Sequence, residues 1–468
     1  MMSNHMNERF GNESVPKLIV SLATPAIIAQ LINAMYSVVD RMFVGRMAEN
    51  GTLALSAIGI SFPIIMVISA FAALVGFGGS PLASIKMGEG ELKKAEELLG
   101  SCFSLLLIAS VLMTTIFLIF KSQLLTLFGA SSDTLPFAED FIGIYLIGTV
   151  PALLSLGLNP FIAAQGFAKT AMVTICVGAA VNIILDTIFI FGMGMGIKGA
   201  AWATIISQTI SAGWVLRFLT SRRAQLRLRL KHMRVNPKVA ASVLALGLSP
   251  FIMLSTESLI QIVFNKSLAH FGGDMYVAAI GIMGTLMQIF TLLLSSFAQG
   301  AQPIIGYNYG AGNVARVKSA IKYCTFFCAA FGLAMWSIAV FMPQLPIMIF
   351  TNNPELSTLT VRLMKIFFLG TCIYGVQLAF QQIFIALGQA KVSIFIAILR
   401  KIILLIPMVL LLPAWIRPQT DAVIIAEPIA DICAALTCCV LFVLKMKQLL
   451  KDEPAYSGMQ RVPGRYRS

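Results

Sequence analysis

Acidic and amide side chains interrupt the apolar segments of the N-terminal half. Asn182 and Asp186 are four residues apart, so both project from one face of a helix. Carboxylate and amide oxygens coordinate Na⁺, and an amide also hydrogen-bonds a protonated carboxyl group. If Asp40 approaches Asp186, repulsion between the two negative charges favours uptake of a proton or a cation. The alternative is that Asp40 lies near the outer membrane surface and pairs with Arg41 or with water.

The C-terminal half carries a different set of charges in its apolar segments. Glu257 follows a long charge-free run and is the first-choice functional acid of this half, with a structural hydrogen bond as the alternative. Arg400 and Lys401 are adjacent, so we expect one to face a central cavity while the other extends toward the membrane surface. Glu427 and Asp431 lie four residues apart, and we expect them to pair with Arg400 or Lys401 rather than to bind substrate.

These charges must be carried by membrane-spanning helices, because the chain is 58% apolar and only 12% charged. Soluble proteins carry about 25% charged residues. A helix needs about 20 mostly apolar residues to cross a bilayer, and this chain has enough such stretches for twelve helices. The predicted spans are 16–42, 53–80, 95–120, 136–160, 166–191, 198–220, 237–268, 275–302, 316–342, 357–382, 390–413 and 421–446. The sequence therefore predicts an all-α membrane protein.

The basic residues predict how these helices are oriented. Of the 34 Lys and Arg residues, 24 fall in the termini and in every second loop, and eight of those lie in one central loop. Because loops rich in Lys and Arg stay in the cytoplasm, we expect both chain ends on the cytoplasmic side of a bacterial inner membrane. The net charge of +14 then indicates topology rather than a nucleic-acid partner. The predicted segments are a cytoplasmic N-terminus (1–15), a first lobe (16–220), a basic linker (221–236), a second lobe (237–446) and a cytoplasmic tail (447–468).

An internal repeat relates the two lobes. A shift of 222 residues places Ala57–Ile60 on Ala279–Ile282 and Pro81 on Pro303. Since each repeat holds six helices, both enter the membrane in the same direction and are related by a pseudo-two-fold axis along the membrane normal. A substrate site is expected at or beside their interface. Leu404 and Met408 occupy the positions that match the amide and the carboxylate of the first lobe, so the scaffold symmetry does not explain that polar pair.

Glycines recur at matching positions of the repeat. Gly88-x-Gly90 falls on Gly310-x-Gly312. Because glycine enters tight turns without a steric penalty, we predict that these glycines form turns in two short loops.

These features together resemble the multidrug and toxic compound extrusion (MATE) family over about residues 15–448, and they are similar to its bacterial MepA-like branch. The resemblance rests on Pro25 with Tyr36–Gly45, on Ala57–Pro63, on Gln165–Lys169, on Asn182 with Asp186 and on Pro428–Asp431. It implies a V-shaped pair of six-helix lobes that alternate access across the membrane. It also implies multidrug efflux of cationic, amphipathic compounds by antiport with H⁺ or Na⁺.

The resemblance also implies roles for individual residues. In the DinF-type branch a first-lobe cation site has counterparts here in Asp40, Asn182, Asp186 and Thr204. Polar cavity positions nearby correspond to Tyr36 and Asn159. In the NorM-type branch a helix 7 Glu, matched by Glu257, works with a helix 10 Asp that this chain lacks. The first lobe is therefore the expected coupling site, and Glu257 and Arg400 are expected in the substrate cavity.

Other classes of function remain as alternatives. The same fold can export an endogenous metabolite or flip a lipid-linked substrate, although a large anionic lipid calls for several Arg and only Arg400 and Lys401 lie at mid-depth. An enzyme is not expected, because the sequence has no phosphate-binding GxxxxGK[ST] loop, no zinc-ligand spacing and no nucleophile–base set. We expect no metal and no cofactor beyond the coupling ion. The expected partners are small organic cations and membrane lipid, with the protein acting as a monomer.

Overall fold

The structure is a computed structural model that describes residues 9–47 and 51–450, and these ranges form helices and no β-strand. The first six helices are α1 (Val15–Gly45), α2 (Gly51–Gly88), α3 (Leu92–Leu127), α4 (Leu135–Ile147 and Thr149–Ala164), α5 (Ala168–Gly192) and α6 (Gly196–Thr220). The second six are α7 (Pro237–Gly272), α8 (Asp274–Gly310), α9 (Val314–Phe341), α10 (Pro354–Ala386), α11 (Ala390–Ala414) and α12 (Gln419–Leu449). The all-α prediction with twelve spans in two tandem lobes is confirmed.

Ten of these helices are long and apolar enough to cross a membrane by themselves. The two parts of α4 meet the same criterion together and are bent by 59°. Helix α6 is less apolar, but its 25 residues extend about 37 Å at 1.5 Å per residue, which is enough to cross a bilayer. The twelve helices thus account for the twelve apolar stretches of the sequence.

The repeat is visible in the helix ends. Helix α4 ends at Ala164 and α10 at Ala386, the position 222 residues later. Helices α4 and α10 are also interrupted at equivalent points, α4 by its bend at Gly148 and α10 by a 3₁₀ turn that ends at Gly370. The same residue types at the same positions therefore produce the same local structure in both lobes.

The two lobes contact each other closely in one half of the molecule. We call this half, which carries the loop between α6 and α7, the linker half. A Cβ on Gly247 of α7 would lie 1.7 Å from the carbonyl oxygen of Leu74 in α2. A Cβ on Gly88 of α2 would lie 2.0 Å from the carbonyl oxygen of Tyr307 in α8. Because backbone atoms cannot move aside as a side chain can, only glycine allows the lobes to approach this closely.

The other half of the molecule lacks such contacts. Gly59 of α2 and its repeat partner Gly281 of α8 have no atom within 4 Å of a built Cβ. The side chains of Met35 and Val38 on α1 are each 67% exposed there. Among the described residues, the glycine contacts between lobes are confined to the linker half, so the lobes diverge toward the opposite end.

The paired glycines of the two short loops have two different tasks. Gly90 and Gly312 have φ values of 78° and 71°, so the turn prediction is confirmed for them. Gly88 and Gly310 are instead the last residues of α2 and α8. The turn prediction is wrong for this second pair, which serves close packing between the lobes.

The segment before α1 binds both lobes at the linker half. Phe10 is fully buried. Its ring contacts Gly166 of the first lobe and stacks at a tilt, 5.4 Å away, on Tyr307 of the second. Its carbonyl oxygen accepts a hydrogen bond from the side-chain amide of Asn308 at 3.2 Å. The segment therefore joins the lobes where their glycines already meet.

The basic linker packs on the first lobe. The side-chain oxygen of Gln165 accepts hydrogen bonds from the backbone nitrogens of Gln225 and Leu226, both at 2.8 Å. The side chain of Leu226 is fully buried, and the hydroxyl of Ser101 donates to the carbonyl of Arg234 at 3.1 Å. The linker is thus an ordered strap rather than a separate domain.

The helix ends agree closely with the predicted lobe limits. The first lobe begins at Val15 and ends at Thr220, and the second begins at Pro237. The last helix ends at Leu449 rather than at 446. Much of the predicted N-terminal segment 1–15 and most of the tail 447–468 lie outside the described residues.

We predict that Gly247→Ala destabilises the protein, because the new methyl group would overlap the Leu74 carbonyl. Overpacking of this kind costs about 1–3 kcal/mol. Thermal unfolding of the purified protein measures it, and the midpoint should fall by several degrees. Gly59→Ala is the matched control, since it adds the same methyl group to a helix with open space around it. Equal midpoints for the two variants would contradict the packing described here.

Candidate functional site

The first-lobe site forms where α1, α5 and α6 meet. Asp40 lies near the end of α1, and α1 packs along α5. Asp186 ends the regular part of α5 and is followed by a π-helical turn, Thr187–Gly192. Such turns are common at functional sites, because the inserted residue redirects side chains and loosens backbone pairing. The helix ends thus deliver two carboxyl groups to one place.

The two carboxyl groups are in direct contact. The side chains of Asp40 and Asp186 form a hydrogen bond with each other, and Asp186 is fully buried. A hydrogen bond between two carboxyl groups requires one shared proton, because neither carboxylate can donate. The alternative of an Asp40–Arg41 ion pair is not what the structure contains, since the Arg41 guanidinium lies over the ring of Phe62, 5.4 Å from its centroid.

Asn182 completes the polar contacts of this pair. Its amide takes the orientation that satisfies both of its ends, as is usual in assigning amides. The nitrogen then donates to Oδ2 of Asp186 at 2.8 Å, and the oxygen accepts from the backbone nitrogen of Thr204 at 3.3 Å. Asn182 is 1% exposed. The sequence prediction that Asn182 and Asp186 share a face is therefore confirmed, and α6 anchors the amide.

Two acceptor atoms of the site are left without a protein partner. Oδ1 of Asp40 and Oδ1 of Asp186 are buried and accept no hydrogen bond. Unpaired buried oxygens of ionisable groups are unstable in an apolar environment. A proton or a small cation bound between the carboxyl groups would satisfy these oxygens. The arrangement can therefore bind and release one positive charge.

The other predicted residues of this lobe lie at different distances from the pair. Tyr36 is one helical turn before Asp40 and lies within electrostatic range of both carboxyl groups and of Tyr145. The hydroxyl of Thr204 donates to the Ala200 carbonyl at 3.0 Å, so its backbone rather than its hydroxyl holds the amide of Asn182. Tyr145 was missed by sequence analysis, since no pattern distinguishes it among nine tyrosines.

Asn159 is not brought to the carboxyl pair. Its side-chain amide donates to the carbonyl of Ala171 at 3.2 Å, which joins α4 to α5. Ala171 precedes Asp186 by 15 residues on α5, or about 22 Å of helix. Asn159 therefore belongs to the linker half, far from the position that its predicted neighbourhood implied.

The second lobe holds its charges in ion pairs. Nε of Arg400 donates to Oδ1 of Asp431 at 2.6 Å, and its Nη2 donates to Oε1 of Glu427 at 3.0 Å. The guanidinium also lies over the ring of Tyr374, 4.6 Å from the centroid. All three charged side chains are less than 10% exposed. The predicted pairing of the α12 acids with Arg400 agrees with this geometry.

Lys401 has a separate set of partners on α7. Its ammonium forms an ion pair with Glu257 and donates to the carbonyl oxygen of Met253 at 2.9 Å. Lys401 and Arg400 can diverge because both lie in a π-helical segment, Leu399–Leu405. Lys401 is 7% exposed, whereas Glu257 is half-exposed. The expected extension of one base toward the membrane surface is wrong, since each finds a buried acid or a carbonyl.

Comparison with known proteins places this architecture in a family. The MatE family model matches residues 25–188 and 251–411. Similar curated proteins include the multidrug export protein MepA of Staphylococcus haemolyticus, 26% identical over 391 residues, or 83% of this chain and 85% of that one. MepA of Staphylococcus aureus strain NCTC 8325 is 23% identical over 431 residues, or 91% and 94%.

Solved structures share the fold at lower identity. A MATE protein in the bent conformation superposes with a TM-score of 0.89 at 21% identity, covering 97% of this chain and 99% of that one. An outward-facing multidrug resistance MATE transporter of the MOP superfamily gives 0.86 at 21% identity, covering 95% and 98%. Since the family model matches both lobes and more than half of the 468 residues, this chain belongs to the MATE family of membrane transporters.

Proposed function

We propose that this protein is a multidrug efflux transporter of the bacterial inner membrane that exports cationic, amphipathic compounds in exchange for H⁺ or Na⁺. The observation that carries the proposal is the hydrogen-bonded contact between Asp40 and Asp186 at the junction of α1 and α5. The MepA proteins that this chain resembles are multidrug exporters, which supports the same class of cargo.

The exchange follows from the charge of the carboxyl pair. With a proton or Na⁺ bound, the pair loses negative charge and its attraction for a cationic cargo weakens. Without the ion, two carboxylates in an apolar environment attract a cation strongly. Ion and cargo therefore exclude one another, and each favours a different state of the lobe. Coupling of this kind needs only that the two ligands have different affinities for the two states.

Helix α1 is suited to carry this difference to the lobe interface. Asp40 lies near one end of α1, and Ala23 near the other end lies against Gly300 of the second lobe. Pro25 lies between them, inside the helix. Proline removes a backbone hydrogen bond and permits a bend. A change of bend at Pro25 would therefore link occupancy of the carboxyl pair to the fit between the lobes.

The positive-inside orientation assigns the linker half to the cytoplasm. The lobes meet there and diverge at the other end, which is the arrangement of an outward-facing transporter. In this state cargo leaves to the exterior and the coupling ion enters from it. The presence of one proton between the carboxyl groups is consistent with that step.

The paired charges of the second lobe favour a cationic over an anionic cargo. Arg400 and Lys401 each contact acidic groups, so neither offers an unpaired positive charge to a lipid phosphate. Among the described residues at mid-depth, the first lobe adds two acids and no neutralising base. An exporter of large anionic lipids would need the opposite balance of charge.

We predict that Asp40→Asn and Asp186→Asn each reduce ion-driven transport at least about tenfold. Purified protein in liposomes would receive a pH gradient or a Na⁺ gradient separately, with ethidium as the fluorescent cargo. Asp140→Asn is the matched control, because Asp140 is an exposed acid of the same lobe that pairs with Lys198 at 3.2 Å. Wild-type rates in both site variants, under the gradient that drives the unmodified protein, would refute the proposed coupling site.

We further predict that Asn182 and Thr204 differ in importance. Asn182→Leu removes the hydrogen bond to Asp186, and bonds to charged groups contribute about 1.5–3 kcal/mol. The apparent affinity for the coupling ion should therefore change about tenfold or more. Thr204→Val keeps the backbone nitrogen that holds the amide, so its affinity should change less than about threefold. Ion titrations of the transport rate measure both, and a larger effect at Thr204 would contradict the described geometry.

A further inference from the structure

Lys401 sits in a set of oxygens that would suit a free cation. Its ammonium contacts the carboxylate of Glu257 and the backbone carbonyl of Met253, both on α7. A lysine ammonium is a compact, strongly hydrated point charge with three donors, so it resembles a small monovalent ion more than arginine does. The carboxylate and the carbonyl together form two coordination points that the side chain fills.

The neighbouring charges are committed elsewhere. Arg400 contacts Asp431 and Glu427 on α12 and stacks on Tyr374 of α10. These are the charged and titratable groups that face the Glu257–Lys401 pair from α10, α11 and α12. The electrostatic field of Arg400 reaches Glu257, but the direct ion pair comes from Lys401 alone. Removal of the ammonium would therefore leave the Glu257 carboxylate without a contacting cation.

The repeat gives this pair its meaning. Ala179 and Ile32 of the first lobe occupy the positions equivalent to Lys401 and Glu257. The first lobe thus has no lysine to neutralise its acids and leaves two carboxyl oxygens unpaired. The second lobe has an acid at membrane depth together with a lysine that contacts it. The two lobes satisfy the same electrostatic requirement, one with an exchangeable charge and one with a covalently attached charge.

We propose that the Lys401 ammonium is a tethered cation that occupies the second lobe's cation site at Glu257 and Met253. The second lobe consequently takes up no free ion there, and coupling depends on the first lobe alone. The statement about coupling rests on the function proposed above, whereas occupancy of the site by Lys401 does not. The proposal assigns Lys401 a positioning and neutralising role.

Replacement of the ammonium should convert this position into a site for a free cation. In Lys401→Met the side chain keeps its approximate length and loses its charge. The carboxylate of Glu257 would then bind a Na⁺ ion or a proton. In the double variant Lys401→Met/Glu257→Gln the acid is also gone, so the gain should disappear. Replacement of both charges of a buried pair by neutral groups is generally tolerated by the fold.

The experiment measures ion binding to purified protein, without transport. All variants carry Asp40→Asn and Asp186→Asn, which removes any first-lobe contribution. Binding of radioactive Na⁺ and the number of protons released when the pH is raised are recorded for each variant. We expect Lys401→Met to gain about one bound Na⁺ or one releasable proton per molecule. Lys391→Met, at the beginning of the same helix, is the matched control and should gain neither.

Two results would overturn the proposal. One is a loss of bound Na⁺ or of a releasable proton when Glu257→Gln is made with Lys401 present, because a free ion would then already occupy the site. The other is a Lys401→Met protein that gains neither ion while its elution on size exclusion and its unfolding midpoint match those of the double variant. Failure of the proposed antiport would appear only in the liposome assay, so the two failures are distinguishable.

Discussion

A charged group in the apolar interior of a membrane is stable only when an opposite charge, a proton or an ion neutralises it. The contact between Asp40 and Asp186 is the point at which this constraint is felt most strongly, because both acids share one buried position and no base contacts them. The ion that relieves the repulsion is supplied from outside the protein, so occupancy of this position responds to ion gradients.

The two lobes show that one scaffold can meet this constraint in two ways. In the second lobe three acids are matched with two bases, held in place by a π-helical segment that directs Arg400 and Lys401 to different partners. A buried ion pair of this kind contributes little net stability, but it fixes the geometry of α7, α11 and α12. The first lobe instead keeps acids without bases, and only that lobe needs an exchangeable charge.

The lobe interface is the second structural requirement of exchange. Glycines at the linker half allow backbones to touch, and such contacts are either made or broken because a packed interface does not deform gradually. Phe10 adds a buried ring between the lobes at the same end. Helix α1 spans from this interface to Asp40, about 25 Å away along the helix from Ala23. The ion site and the interface therefore share one rigid element with a proline inside it.

The sequence by itself determined the twelve apolar helices, the 222-residue repeat and the acids worth attention, because hydrophobicity, length and charge are local properties of the chain. It also indicated that the α12 acids pair with Arg400. Only the tertiary structure decided that Lys401 pairs with Glu257, that Asn159 lies about 22 Å from Asp186, and that Gly88 serves packing rather than a turn. Those outcomes depend on which helix faces which, and that is set by contacts between residues far apart in the chain.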